Sequence, residues 1–259
     1  MSTYRNTVNN RGDKSNNHTL FRSSNPALSS KTFADIPQST GNVMTIDGTV
    51  NKIALSLFIL LAFGYMTFRL EMTGLIFIGF IGGFIVAIIT MFKKSWSPVT
   101  TPVYAALEGL ALGGISFVFN SMYEGIVFQA VFLTLAILFT LLFAYKTKLI
   151  KPTENFKLGV VAATGGIFVV YMVGFIMSFF GSGLPVLDIG NSSFMSIGFS
   201  LLVVIIASLN LVLDFDFIEQ GAEQGAPKYM EWYAAFGLMI TLVWLYIEIL
   251  HLLAKLRGR

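Results

Sequence analysis

Five carboxylates stand within or at the edges of long apolar runs, and their setting constrains their chemistry more than any other feature of this sequence. Glu108 lies inside one run. Asp214 and Asp216 close another, in Asn210-Leu-Val-Leu-Asp-Phe-Asp-Phe-Ile-Glu219, while Glu231 opens the last run and Glu248 lies within it. An ionisable group at mid-span costs about 2.5 to 3.5 kcal/mol on insertion scales, so it faces a bundle interior and has a partner or a task. Two carboxyl groups brought together in a low-dielectric cavity do not both ionise near neutral pH; one keeps a proton and the pair titrates as a unit. Protonated, such a pair ties two helices through a hydrogen bond; ionised, it repels them or accepts Ca²⁺, whose hard-oxygen preference suits carboxylates. Asp214, Asp216, Glu231, Glu248 and Glu108 are therefore the candidate pH-sensing and gating residues. Asp214, Glu231 and Glu248 are the candidate Ca²⁺ ligands, and Lys93 and Lys94 the candidate cationic partners.

Spacing limits which of them meet. Asp214 and Asp216, two apart, point about 200° from one another on a helix, so one at most faces a given partner, and the deeper Asp214 is preferred. Glu231 and Glu248 lie roughly 25 Å apart along one helix axis and cannot share a site. With the sixth and seventh spans antiparallel, depth counting puts Glu231 beside Asp214 and Glu248 near the opposite face. Glu108 lies on the order of 14 Å into its span, close to the midplane. Each residue also has a structural alternative. Glu108 can serve as a protonated acid bonding a neighbouring helix, and Asp214 and Asp216 can reach the headgroups. Glu231, near Tyr229, Trp232 and Tyr233, can belong to an aromatic belt, and Lys93 and Lys94 can be topology anchors.

The elements that must position these groups follow from composition. Of 259 residues, 55% are hydrophobic and 12% charged, with a mean hydropathy of +0.73, far from the roughly 25% charged residues of soluble domains. Apolar runs near the ~20 residues that cross a bilayer recur at about 50–68, 75–92, 99–119, 126–145, 158–180, 194–213 and 232–253. The expected fold is all-α: a polytopic membrane protein with a bundle of seven transmembrane helices at 49–259. Turn and charge chemistry separates the runs, as at Lys93-Lys94 with Pro98 and at Gly181-Ser-Gly-Leu-Pro185. The runs do not alternate, which excludes a transmembrane β-barrel.

Residues 1–48 are rich in Ser, Asn and Thr and read as a disordered, uncleaved cytosolic tail. Within it, residues 21–33 carry Phe21 and Phe33 around an Asn-Pro turn, a segment that suits either a linker or docking on a partner. Most of the 17 Lys and Arg fall in the tail and the even-numbered loops, which favours a cytosolic N-terminus. Lys255, Arg257 and Arg259 are the exceptions, and they leave open a last helix that enters and returns. Glycines at helical spacing, Gly79-x-x-Gly82-Gly83, Gly109-x-x-x-Gly113-Gly114 and Gly165-Gly166, read as helix-packing positions. Absence of Cys and only two His exclude thiol chemistry and leave little for a histidine metal cluster. No cofactor is expected beyond Ca²⁺ as a permeant or bound ion. The basic residues flank apolar runs rather than forming one patch, so no nucleic-acid partner is expected.

Tyr104-Ala-Ala-Leu-Glu-Gly-Leu-Ala-Leu-Gly-Gly-Ile-Ser116 resembles the third-helix signature of the transmembrane Bax inhibitor motif, or Bax inhibitor-one, family. The acids ending the sixth helix and Leu245-Tyr-Ile-Glu-Ile-Leu-His-Leu-Leu253 resemble the rest of its pattern. Phe-Arg-Ser-Ser-Asn-Pro-Ala-Leu near the start and Glu231-Trp-Tyr-Ala-Ala-Phe-Gly237 look like its bacterial YccA-like branch. The resemblance covers about residues 20–256. It implies a pH-dependent Ca²⁺ leak channel or regulator in the bacterial inner membrane, gated by an aspartyl pair between the sixth and seventh helices with help from an arginine. Carried over, the sixth-helix aspartate resembles Asp214, with Asp216 next, and Leu-Tyr-Leu-Asp of the family resembles Leu245-Tyr-Ile-Glu, which selects Glu248 where depth counting selects Glu231. In place of the arginine this sequence offers Lys93 or Lys94, point charges without a bidentate fork.

Two functions follow. One is a proton-gated Ca²⁺ leak. The other is a non-conducting regulator that binds a membrane protease or another partner through its N-terminal tail. Catalysis is not expected: the aspartates lack a Gly-x-Gly-Asp context, and Gly181-Ser-Gly183 lies in a loop with no histidine in a span to serve it.

Overall fold

Each apolar run folds into one helix, and sequence chemistry sets most of the ends. The computed structural model describes residues 43–258. Within them lie α1 (Ile46–Arg69), α2 (Leu75–Phe92), α3 (Ser97–Met122), α4 (Ile126–Lys146), α5 (Glu154–Phe179), α6 (Phe194–Glu223) and α7 (Met230–Arg257), with short 3₁₀ turns at Lys94–Trp96 and Pro185–Leu187. Thr45, Thr153 and Ser193 cap α1, α5 and α6, each side-chain oxygen accepting a backbone N–H of the first turn, and Pro98 occupies the start of α3, where its missing N–H costs nothing. All seven helices are long and apolar enough to cross a membrane.

Two boundaries differ from the expectation in ways that matter. The sixth helix does not end at Asp214 and Asp216 but continues to Glu223, because its charged last turns find partners: Lys157 and Gln220 for Asp216, and the Tyr145 hydroxyl for Glu219. The last helix is one continuous element of 28 residues, about 42 Å long, so it is long enough to cross fully and does not turn back on itself. The tail at 1–42, including the 21–33 segment, lies outside the described residues. Of the stretch assigned to it, Val43–Gly48 instead belong to the bundle: Val43 bridges Pro227, Met44 is buried and its N–H donates to the Ala226 carbonyl at 2.6 Å.

Burial sorts the helices into an inner and an outer set. α3, α6 and α7 form the interior, and α7 packs on α1, α3, α4 and α6. The outer helices turn large apolar side chains outward, as Phe77, Phe80 and Phe84 of α2 do, an arrangement that only a hydrocarbon surround favours.

The glycine motifs divide. Gly109 and Gly113 of α3 bring that helix against Leu60, Phe63, Gly64 and Thr67 of α1, and Gly79 of α2 meets Leu107 and Ala111 of α3. Among the described residues nothing lies within 4 Å of a Cβ added at Gly165 or Gly166, so no described helix packs on them. A Cβ at Gly113 would run into the Gly64 carbonyl and lie 2.8 Å from the Thr67 Cβ. Gly113→Ala is therefore expected to cost about 1 to 3 kcal/mol, read as earlier unfolding in mixed micelles. Gly165→Ala should cost nothing by the same assay.

Candidate functional site

The acids of α6 and α7 are buried at three levels of one helical hairpin. Asp214 is 0% exposed, Glu231 0% and Glu248 4%. α6 and α7 run antiparallel about the turn between Glu223 and Met230. Counted from that turn, Asp214 is level with about Met239, some 12 Å beyond Glu231 and about 13 Å short of Glu248. Asp214 therefore stands between the two glutamates along the axis. The expectation that Glu231 lies beside it is corrected, because the ten extra residues of α6 move the turn away from Asp214.

Glu231 occupies the N-terminal side of the bundle, where the chain enters α1. Its Oε1 accepts the Thr45 N–H at 3.0 Å and the Thr45 hydroxyl at 2.9 Å, and it pairs with the Lys228 ammonium at 2.7 Å. Oε2 is buried with no hydrogen-bond partner among the described residues. The carboxylate fills the space a side chain at Gly48 would need, which is why α1 carries glycine in its first turn. Gly48→Ala is expected to dislodge the carboxylate and cost about 1 to 3 kcal/mol, measurable as earlier unfolding and as faster proteolysis near Thr45. Gly159→Ala, in a helix interior with open space around it, should be neutral or slightly stabilising.

Asp216 points away from Asp214, as two-residue spacing on a helix demands. Its Oδ2 lies 2.8 Å from the Lys157 ammonium of α5 and accepts from Gln220 at 2.6 Å. Asp214 shares the inward stripe of α6 with Ala207, Asn210 and Ile218. Asn210, one turn away, donates to the Thr164 hydroxyl of α5 at 2.9 Å.

Glu248 belongs to a second polar cluster toward the C-terminal side. The Tyr171 hydroxyl of α5 donates to its Oε1 at 2.6 Å, and His251 Nδ1 lies 3.8 Å from Oε2. One further turn along, the buried Lys255 ammonium donates to the Val186 carbonyl at 2.7 Å and to Ser200 of α6 at 2.9 Å. Lys255 is thus a structural cation inside the bundle, which accounts for one of the three basic residues that the topology rule left on the wrong side.

Glu108 is half-buried and faces α2 rather than the hairpin, its carboxyl lying over Gly83. The Tyr104 hydroxyl interacts with it, while the Tyr104 ring packs edge-on against Phe236 of α7 at 5.0 Å. Lys93 and Lys94, the expected cationic partners, lie over the rings of Trp96 and Tyr233. The ion pairs of Asp216 and Glu231 are made by Lys157 and Lys228. Among the described residues no three His, Asp or Glu side chains converge as a metal-binding group.

Several of these partners carry no signal in the sequence: Lys157 stands one residue before the apolar run at 158–180, Lys228 lies between the last two apolar runs, and Thr45 falls in the polar stretch before the first. Tyr171 carried a usable signal: a tyrosine at mid-span sits away from the interfacial belts where the residue is enriched.

The sequence pattern described as Bax inhibitor 1 like matches residues 25–258. No curated protein and no solved structure matches the chain. With that pattern covering nearly all of a seven-helix bundle whose buried acids lie on α6 and α7, the chain belongs to the Bax inhibitor 1 like family.

Proposed function

We propose that this membrane bundle is a conduit rather than a catalyst: a Ca²⁺ leak whose opening is controlled by protons on the buried carboxylates of α6 and α7, with the N-terminal side cytosolic and the host membrane a bacterial inner membrane. The observation that carries the reading is the column of acids. Asp214, Glu231 and Glu248 are all buried and spread over roughly 25 Å of the hairpin, close to the ~30 Å thickness of a hydrocarbon core. Carboxylates at such intervals offer a hard cation successive oxygen ligands, and protons on the same oxygens remove that attraction. Oε2 of Glu231, without a hydrogen-bond partner among the described residues, is a position either a proton or a cation can take. Protonation holds the hairpin closed, and ionisation opens it, so the flux rises with pH. Ca²⁺ entry into liposomes containing the purified protein and an internal Ca²⁺ reporter tests this. An increase from mildly acidic to mildly alkaline buffer is expected, and the absence of flux at every pH would end the proposal.

One observation favours the second reading, a regulator of a membrane protease or another partner. The residues that directly follow the tail, Val43, Met44 and Thr45, are fastened to the α6–α7 turn and to Glu231, so a partner that pulls on the tail pulls on the hairpin. Deleting residues 1–42 distinguishes the two: a regulator loses its partner in a native pull-down, whereas a leak keeps its pH-dependent flux.

A further inference from the structure

On the side of the bundle away from the α6–α7 turn, α1 and α4 form the walls of a groove of about 400 Å³ floored by α3 and α7. Leu61, Tyr65 and Phe128 line it and are largely exposed, so it opens sideways into the surrounding hydrocarbon. Its lining is graded. The deep part is bounded by Leu57, Leu135 and Leu242, and the end nearest the C-terminal side holds Asn120, Ser116 and Tyr246. The Ser116 and Tyr246 hydroxyls bond each other at 2.6 Å and are more than nine-tenths buried. A hydroxyl pair retains one donor and several lone pairs for a third group.

Depth identifies what the groove fits. Counted from the C-terminal ends of α3 and α1, Asn120 lies about 3 Å in, Ser116 about 9 Å and Leu57 about 18 Å. The groove therefore runs from the polar border of one leaflet to about the midplane of a ~30 Å hydrocarbon core. Its polarity follows the same course, polar at the border and apolar below, which is the profile of a glycerolipid with its ester groups above and one acyl chain beneath. Sites for small molecules have this character, mostly apolar with a few placed polar groups.

We propose that the groove is a binding site for one acyl chain of a membrane glycerolipid, its ester region held at Ser116, Tyr246 and Asn120. The site is separate from the acid column and does not depend on Ca²⁺ passage. It abuts the column only through α7, where Tyr246 stands two residues before Glu248.

The test uses the full chain in phosphatidylcholine vesicles that contain a phosphatidylcholine with a diazirine near the end of one acyl chain. Irradiation followed by peptide mass spectrometry locates the adducts. A bound chain labels the partly buried Leu57 and Leu135 about tenfold above Phe80 and Phe84 of α2, which face the lipid more openly, the difference a few sequestered methylenes confer. Val131→Trp and, on the exposed wall, Leu61→Trp should abolish that enrichment while leaving α2 labelling intact, the latter reporting that each variant is inserted and folded. Ser116→Ala with Tyr246→Phe should reduce the enrichment without filling the groove. Even labelling over all lipid-facing helices would overturn the proposal and indicate ordinary annular lipid. An unlabelled groove with crosslinks to another copy of the chain would overturn it in favour of a protein contact.

Discussion

Asp214→Asn is expected to abolish the pH dependence of Ca²⁺ flux through the reconstituted protein. A gate set by one proton changes its open fraction by about tenfold per pH unit on the acid side of its midpoint, and an asparagine amide has no proton to lose in that range. Of the three acids in the column, Asp214 is the one at mid-depth, and its side chain is fully buried. Asparagine has nearly the same shape and keeps hydrogen-bonding capacity, so the helix should persist and the flux should become flat across the range. Glu231→Gln should give a smaller effect on pH dependence, because Glu231 already holds the Lys228 ammonium and both Thr45 donors. Equal pH dependence in wild type and Asp214→Asn, from vesicles of matched protein content, would remove Asp214 from the gate.

Lys157→Met is expected to be the most destabilising single change considered, costing about 3 kcal/mol. Removing one partner of a buried ion pair strands the other charge, and measured losses are about 3 to 5 kcal/mol. The lower end applies because the Asp216 side chain is 18% exposed while that of Lys157 is 6% exposed. Asp216 also keeps the Gln220 amide, which softens the loss. Adding Asp216→Asn should recover most of it, since the stranded charge goes with it. Unfolding midpoints of the single and double variants in mixed micelles measure both effects. A double variant as unstable as the single would show that Lys157 acts by packing rather than by charge.

The seven spans were legible because hydrocarbon imposes one requirement on every residue that meets it, and a window of ~20 apolar residues records that requirement directly. The end of α6 was not. An apolar window stops at Leu213, whereas the helix continues because Asp216 finds Lys157 on α5 and Glu219 finds Tyr145 on α4, partners distant in sequence. The same cause hid the level of Asp214: a hairpin whose turn is drawn ten residues early pairs the wrong residues. The identity of the acids was readable, since a carboxylate in an apolar run stands out in one sequence alone. The cations of Asp216 and Glu231 were not, because Lys157 and Lys228 are brought to them only once the helices are in place. The glycine motifs illustrate the limit from the other direction. Gly109 and Gly113 pack against α1 and Gly165 and Gly166 against no described helix, and spacing does not separate the two cases.

Control of ion passage by protons on the buried carboxylates of α6 and α7 can be measured by titrating one proteoliposome preparation two ways, following Ca²⁺ flux and the infrared carbonyl band of protonated carboxylic acids over the same pH series. One shared midpoint is expected, with the band weakening as flux rises and both responses lost in the Asp214→Asn, Glu231→Gln, Glu248→Gln variant. Flux that stays constant while the band titrates, or a band unchanged in the triple variant, would contradict it.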